Sequence, residues 1–131
     1  MNYVLIDTLQ IINNINKLKK KVMLVVKSDA YGMGIRGLVN TFDKCKIDYY
    51  CFNRYSEYLE VVDVLKDKKI LIFESPKTIY EDNVRYTINS YSDAVFVSSI
   101  KKKIYVHIQI DTKMNRLGIK DIIEFNKVIN L

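Results

Sequence analysis

Short apolar runs alternate along this chain with segments whose apolar residues recur at helical spacing. The runs predict β-strands over residues 22–26, 49–52, 69–73, 84–88 and 104–110. Parallel strands need a crossover connection, and a helix between successive strands supplies it. The pattern therefore predicts an α/β fold of about five βα units built on a parallel sheet. The first strand is apolar throughout, which is typical of a strand buried on both faces.

Helix boundaries are predicted from residues that cap helices well. The predicted starts are Asp7 or Thr8, Asn53, Ser75 before Pro76, Ser90 or Ser92, and Asp121. Asn53 is expected to begin one helix over 55–65, and residues 3–6 are expected to form a short opening strand.

The composition is that of one globular domain. The chain has 131 residues, of which 49% are hydrophobic and 27% charged, so it is long enough to bury a core. No apolar run is long enough to cross a bilayer, and the start has no secretory pattern. We therefore expect a cytoplasmic protein without a membrane partner. Cys45 and Cys51 lack metal-site spacing and lie far from His107, so neither a disulfide framework nor a metal site is expected.

The net charge of +6 has two interpretations. Lysines cluster at 17–21, 66–69 and 101–103, where helices are expected to end. Cations at helix carboxyl ends interact favourably with the helix dipole. We therefore predict no nucleic-acid partner, and nucleic-acid binding stays an alternative that rests on charge alone.

The four glycines mark two loops. Gly32, Gly34 and Gly37 follow the first strand, and Gly118 follows the fifth. Glycine is required where φ is positive or where the backbone approaches another group closely. Ligands of parallel α/β folds bind at the carboxyl ends of the strands, so these loops form the predicted site.

Three side chains in these loops carry the candidate chemistry. Lys27 ends the first strand, and its amine suits covalent catalysis where burial or nearby cations lower its pKa. Tyr31 lies beside glycine N–H groups that could hold a phosphate. Arg116 could hold an anionic oxygen and, in a curled sheet, point toward Lys27. The alternatives are a solvated lysine, a half-buried tyrosine and a surface arginine.

Two further polar residues have structural interpretations. His107 lies in the middle of the fifth strand, which favours a hydrogen-bonded core or interface histidine. Asp111 ends that strand and is interpreted as a residue that orients the following loop.

Two stretches resemble motifs of the alanine racemase family. Residues 25–34, VVKSDAYGMG, resemble its pyridoxal phosphate attachment motif, and residues 110–119, IDTKMNRLGI, resemble its Asp-Thr-Gly-Met-Asn-Arg-Leu-Gly motif. The resemblance runs from about Tyr3 to the last residue. It implies that residues 1–131 form a single, incomplete domain, part of a (β/α)8 TIM-type barrel whose closing strands and C-terminal β-domain are absent.

The resemblance also implies roles for individual residues. Lys27 would form a Schiff base with pyridoxal 5′-phosphate and exchange a proton at the substrate Cα. Tyr31 would contact the cofactor phosphate, and Arg116 its phenolic oxygen. Gln109 stands where many family members carry a lysine that orients this arginine, and its amide could accept a hydrogen bond from Arg116.

The implied reaction interconverts L- and D-alanine, which supplies D-alanine for peptidoglycan. The family's second catalytic base comes from the absent C-terminal domain, so the isolated chain is expected to be inactive or weakly active. Pairing with a missing C-terminal fragment and homo-oligomer formation both stay open. The alternative function is a pyridoxal-phosphate-binding protein without turnover.

Overall fold

The computed structural model describes residues 3–79 and 81–131. The chain divides into two compact units, residues 1–70 and 71–131. The prediction of a single, incomplete domain stays a prediction, and each unit has its own secondary structure and packing. Within the described residues, no helix is both long and apolar enough to span a membrane.

The first unit contains two parallel strands and the helices around them. Its elements are α1 (Thr8–Lys17), β1 (Val22–Val25), α2 (Lys27–Tyr31), α3 (Ile35–Phe42), β2 (Ile47–Phe52), α4 (Tyr55–Leu59) and α5 (Val62–Leu65). β1 pairs in parallel with β2, and Val25 lies opposite Cys51. The side chains of Leu38 and Phe42 on α3 and of Leu65 on α5 are buried in this unit.

The second unit repeats the arrangement. Its elements are β3 (Ile70–Ile72, beginning at the boundary), β4 (Val84–Ile88), α6 (Tyr91–Ser98), β5 (Val106–Ile108) and α7 (Ile122–Ile129). β4 pairs in parallel with β5, and Thr87 lies opposite His107. A small core joins Ile88, Ala94, Ile119 and Val128. Strands alternating with helices, paired in parallel within each unit, confirm the α/β prediction.

Caps that depend on neighbouring residues are predicted correctly. Ser90 caps α6 by accepting the N–H of Asp93, and the Asp121 carboxylate caps α7 by accepting the N–H of Glu124 at 2.8 Å. Asp7 caps α1 in the same way. These contacts span three residues, so the local sequence contains all that they require.

Three predictions for the start and middle of the chain are wrong. Residues 3–6 form no strand, and the side chains of Tyr3, Val4 and Leu5 are between 85% and 91% exposed. β1 is not buried on both faces, since Met23 is 42% exposed and only Val26, just after the strand, is fully buried. The single helix over 55–65 is two short helices, and the first begins after Arg54 rather than Asn53.

The predicted helix at Ser75 and Pro76 is also absent from the described residues between β3 and β4. The Ser75 hydroxyl instead donates to the Asp93 carboxylate at 2.7 Å and accepts from the side-chain amide of Asn89 at 3.3 Å. β5 is shorter than predicted, and Ile110 forms only an isolated parallel bridge to Ile119.

Candidate functional site

The carboxyl end of β1 holds the first candidate residue, Lys27. The N–H of Val26 donates to the carbonyl of Cys51 at 2.9 Å, which extends the pairing with β2 one residue beyond β1. The Val26 side chain is buried. Lys27 therefore follows a fixed strand end, and its own side chain is half-buried.

The element α2 is not a right-handed helix, because the residues that follow Lys27 form a left-handed turn. Ser28, Asp29, Ala30 and Tyr31 have φ values between 51° and 57°. L-residues disfavour this conformation by about 1–2 kcal/mol each, and it usually occurs at single residues. Four consecutive residues of this kind persist only where surrounding contacts fix them, and such strain is concentrated at functional sites.

Backbone and side-chain hydrogen bonds close this turn. The N–H of Ala30 donates to the carbonyl of Val26 at 2.8 Å. The Asp29 carbonyl accepts the N–H of Gly34 at 3.0 Å, and its carboxylate accepts the N–H of Ile35 at 2.8 Å. The turn is thereby joined to the strand before it and to α3 after it.

A carboxylate from α4 also reaches the turn. Glu57 Oε1 accepts the N–H of Ser28 at 3.1 Å, while Oε2 accepts the N–H groups of Asn53 at 2.9 Å and Arg54 at 3.1 Å. Glu57 is not among the site residues predicted from the sequence. The sequence signature of a capping box, which is Ser, Thr, Asp or Asn three residues before a Glu, could not have found it, because Arg54 stands at the capping position.

The side chains of Lys27 and Tyr31 lie next to each other at this turn. The Lys27 Nζ atom lies 5.8 Å from the centre of the Tyr31 ring, within the range of a cation–π contact. Tyr31 is 61% exposed, which leaves its hydroxyl accessible. The pair therefore presents an amine and a phenol side by side.

The glycines after the turn leave open space beside it. Gly32 and Gly34 have φ values of 81° and 84°, as predicted. A Cβ added at either would meet no heavy atom of the described residues within 4 Å. Gly37 differs from the prediction, because it lies within α3 with neither a positive φ nor a close neighbour among the described residues. Gly32 and Gly34 thus leave room for a ligand at the carboxyl end of β1.

The second candidate loop, residues 109–119, is closed on itself. The N–H of Asp111 donates to the carbonyl of Ile119, and the N–H of Ile119 to the carbonyl of Gln109, both at 2.9 Å. Gly118 has φ 115°, and a Cβ there would lie 2.8 Å from the Asp111 nitrogen. Both reasons for predicting glycine, a positive φ and a close approach, apply at Gly118.

Arg116 lies on the exposed part of this loop. Its guanidinium is 4.0 Å from the Met114 sulfur. Among the described residues no hydrogen bond joins Gln109 to Arg116, and the Gln109 Nε2 group donates instead to the carbonyl of Leu117 at 3.0 Å. The Asp111 carboxylate accepts the N–H of Asn115 at 3.2 Å, which confirms its predicted loop-orienting role.

His107 is half-buried on β5 rather than part of a core. Burial lowers the pKa of its imidazole, and the charge of Arg85 lowers it further. Lys27 belongs to the first unit and Arg116 to the second, so their predicted approach stays a prediction.

Comparison with known proteins gives one family. A family model described as "Alanine racemase, N-terminal domain" matches residues 6–131. An alanine racemase of Francisella philomiragia is 33% identical where the two align, over 91% of this chain and 36% of the relative. A serine/alanine racemase of Enterococcus gallinarum is 34% identical over 125 residues, which cover 92% of this chain and 18% of the relative. The chain thus spans about a third or less of these relatives.

Solved structures give the same fold. Alanine racemase from Bartonella henselae, solved with covalently bound pyridoxal phosphate, has a TM-score of 0.75 at 24% identity and is matched over 95% of this chain and 39% of that one. Alanine racemase from Oenococcus oeni has a TM-score of 0.74 at 24% identity, over 94% and 36%. The prediction of a partial α/β barrel of the racemase type is confirmed.

Proposed function

Since this chain belongs to the alanine racemase family, we propose that it forms the cofactor-binding part of a pyridoxal-phosphate-dependent racemase that interconverts L- and D-alanine. The observation that carries the proposal is the position of Lys27. Its amine lies at the carboxyl end of a parallel strand, on a strained turn beside two glycines with open space. The proposed physiological role is D-alanine supply for peptidoglycan, in the cytoplasm.

The chemistry of the residues present fits pyridoxal phosphate. The primary amine of Lys27 can attach to an aldehyde carbon, and the exposed phenol of Tyr31 can donate to a phosphate oxygen. The guanidinium of Arg116 is accessible on its loop and suits an anionic oxygen. The relative from Bartonella henselae, whose structure contains this cofactor covalently bound, supports the assignment.

Each residue then has a defined task. Lys27 holds the cofactor and moves a proton to or from the substrate Cα. Tyr31 holds the phosphate, and Arg116 holds the phenolic oxygen. The bound cofactor supplies the electron sink that stabilises negative charge at Cα, while the protein supplies binding and orientation. Alanine is the proposed substrate, and the name of the Enterococcus gallinarum relative makes serine the first alternative to assay.

We further propose that efficient turnover needs residues beyond these 131. The relatives are about three times as long or longer, and apolar side chains of the second unit are exposed on β5, just after it and on α7. They are Val106, Ile108, Ile110, Ile122 and Ile123. Surfaces of this kind mark interaction sites. A C-terminal racemase segment, or a second copy of the chain, is the proposed partner.

Reductive trapping tests the cofactor assignment. The purified chain is mixed with pyridoxal phosphate, reduced with borohydride and mapped by peptide mass spectrometry. Selective modification of Lys27, abolished by Lys27→Ala and weakened by Arg116→Ala, is the expected result. Lys101→Ala, which removes an exposed lysine elsewhere, should leave it unchanged. Modification spread over the surface lysines would refute an assembled site.

Alanine turnover separates an enzyme from a binding protein without catalysis. The chain alone is expected to racemise alanine weakly or not at all, and addition of a C-terminal racemase fragment is expected to raise the rate. Lys27 labelling without any turnover, with or without that fragment, would favour the binding-protein alternative.

A further inference from the structure

Lys27 lies between two peptide groups that are each held by a specific hydrogen bond. The carbonyl of the Val26–Lys27 peptide accepts the N–H of Ala30 at 2.8 Å. The N–H of the Lys27–Ser28 peptide donates to Glu57 Oε1 at 3.1 Å. Fixing both peptide planes fixes φ and ψ of Lys27, and therefore the direction in which its side chain leaves the backbone.

The first of these bonds is local, but the second comes from 29 residues away. The Glu57 side chain is itself held in place at the start of α4. Its Oε2 atom accepts the N–H groups of Asn53 and Arg54, and the next residue, Tyr58, is 1% exposed with its ring 5.9 Å from that of Phe52. Oε1 is thus presented to Ser28 by an anchored helix.

From this geometry we propose that Glu57 is a positioning residue for Lys27. Its carboxylate holds the entrance of the left-handed turn, so that the Lys27 amine is directed into the site. The proposal deepens the function proposed above and rests on it for the role of the amine. Glu57 acts only through the backbone, since it contacts the N–H of Ser28.

The chemistry requires a carboxylate. Two oxygens accept three N–H groups, and an ionised carboxylate has only acceptors. A glutamine of the same length has one oxygen, and its NH₂ group would face at least one N–H donor. Glu57→Gln therefore removes part of the contact with almost no change in volume, while Glu57→Ala removes all of it.

The second unit supplies a matched control. Glu124 occupies the same position on α7 as Glu57 does on α4, three residues after the capping residue. It also accepts a distant backbone N–H, that of Tyr91 at 2.9 Å. Glu124→Gln thus removes an equivalent contact outside the unit that contains Lys27.

Amide hydrogen exchange of the full chain without cofactor tests the contact itself. In Glu57→Gln, exchange at Ser28 should accelerate about tenfold or more, the effect of losing a hydrogen bond to a charged group. In Glu124→Gln, exchange should accelerate at Tyr91 and stay unchanged at Ser28. Unchanged Ser28 exchange in a folded Glu57→Ala variant, whose side chain has no acceptor, would overturn the proposal.

Reductive labelling with pyridoxal phosphate tests the positioning. Lys27 labelling should fall about tenfold in Glu57→Gln and more in Glu57→Ala, and stay at the wild-type level in Glu124→Gln. Accelerated Ser28 exchange with wild-type labelling would overturn the positioning role and leave Glu57 a helix cap. Absence of Lys27 labelling in the wild-type chain would refute the proposed function, while the exchange rates would still decide whether Glu57 holds the turn.

Discussion

The N–H of Val26 donates to the carbonyl of Cys51 at 2.9 Å, so the residue before Lys27 is fixed to the end of β2. The Cys51 side chain is 1% exposed, and burial raises the pKa of its thiol to about 12. A thiol in this environment is almost entirely protonated at neutral pH and is inaccessible to reagents. The thiol therefore reports on the integrity of the β1–β2 pairing next to Lys27.

Alkylation should distinguish the two cysteines. Cys45 is half-buried, and burial raises its pKa less than that of Cys51. Iodoacetamide should modify Cys45 first, and Cys51 only at the rate at which the first unit opens. Mass spectrometry over time gives both rates, and Cys45→Ser leaves Cys51 to be followed alone. Modification of Cys51 as fast as Cys45 in native conditions would contradict this packing.

Replacing glycine by alanine should have opposite effects at Gly118 and at Gly37. At Gly118 the added Cβ would lie 2.8 Å from the Asp111 nitrogen and φ is 115°, so Gly118→Ala should lower the free energy of unfolding by about 2 kcal/mol or more. Gly37 lies within α3 and has space, so Gly37→Ala should raise it by about 0.5–1 kcal/mol. Urea denaturation measures both changes in the free energy of unfolding. Equal changes would show that the 109–119 loop can adopt a different backbone conformation.

What the sequence predicts well here is local. Strand positions follow from apolar runs, and the caps Ser90 and Asp121 bond within three residues. These features depend on short-range stereochemistry that the sequence displays directly.

What the sequence does not show depends on partners distant along the chain. Ser75 looks like a helix cap until Asp93, 18 residues on, accepts its hydroxyl. Nothing in the residue types of Ser28 to Tyr31 indicates a left-handed turn, because none is glycine. That turn is stabilised by contacts such as the one from Glu57, and only the folded structure shows them.

The single histidine gives a pH dependence that can be assigned. Burial and then Arg85 lower the pKa of His107 from its usual 6.5, so the unfolded chain binds a proton more readily than the folded chain. The free energy of unfolding should therefore decrease as pH falls from about 6.5 to the folded-state pKa, and reach a plateau below it. Urea denaturation across this range should show the slope in the wild type. In His107→Gln, which cannot titrate there, the slope should be lost, and an unchanged slope would assign it to another group.

At Asp29, a glycine substitution should leave the protein more stable than an alanine substitution, which is the reverse of the usual order in a helix. Its φ is 52°, and its carboxylate accepts the N–H of Ile35. Asp29→Ala and Asp29→Gly both lose that hydrogen bond, at about 1 kcal/mol, but only glycine relieves the left-handed strain of about 1–2 kcal/mol. Asp29→Gly should therefore be the more stable of the two variants in urea denaturation.

Asn40 provides the comparison, because it is an exposed residue of the right-handed helix α3. There the alanine variant should be the more stable by about 1 kcal/mol, the ordinary helical preference. Opposite rankings at the two positions would place the left-handed turn in solution, directly after Lys27. The same ranking at both would mean that Asp29 is right-handed in solution, and the direction of the Lys27 side chain would then have to be fixed by different contacts.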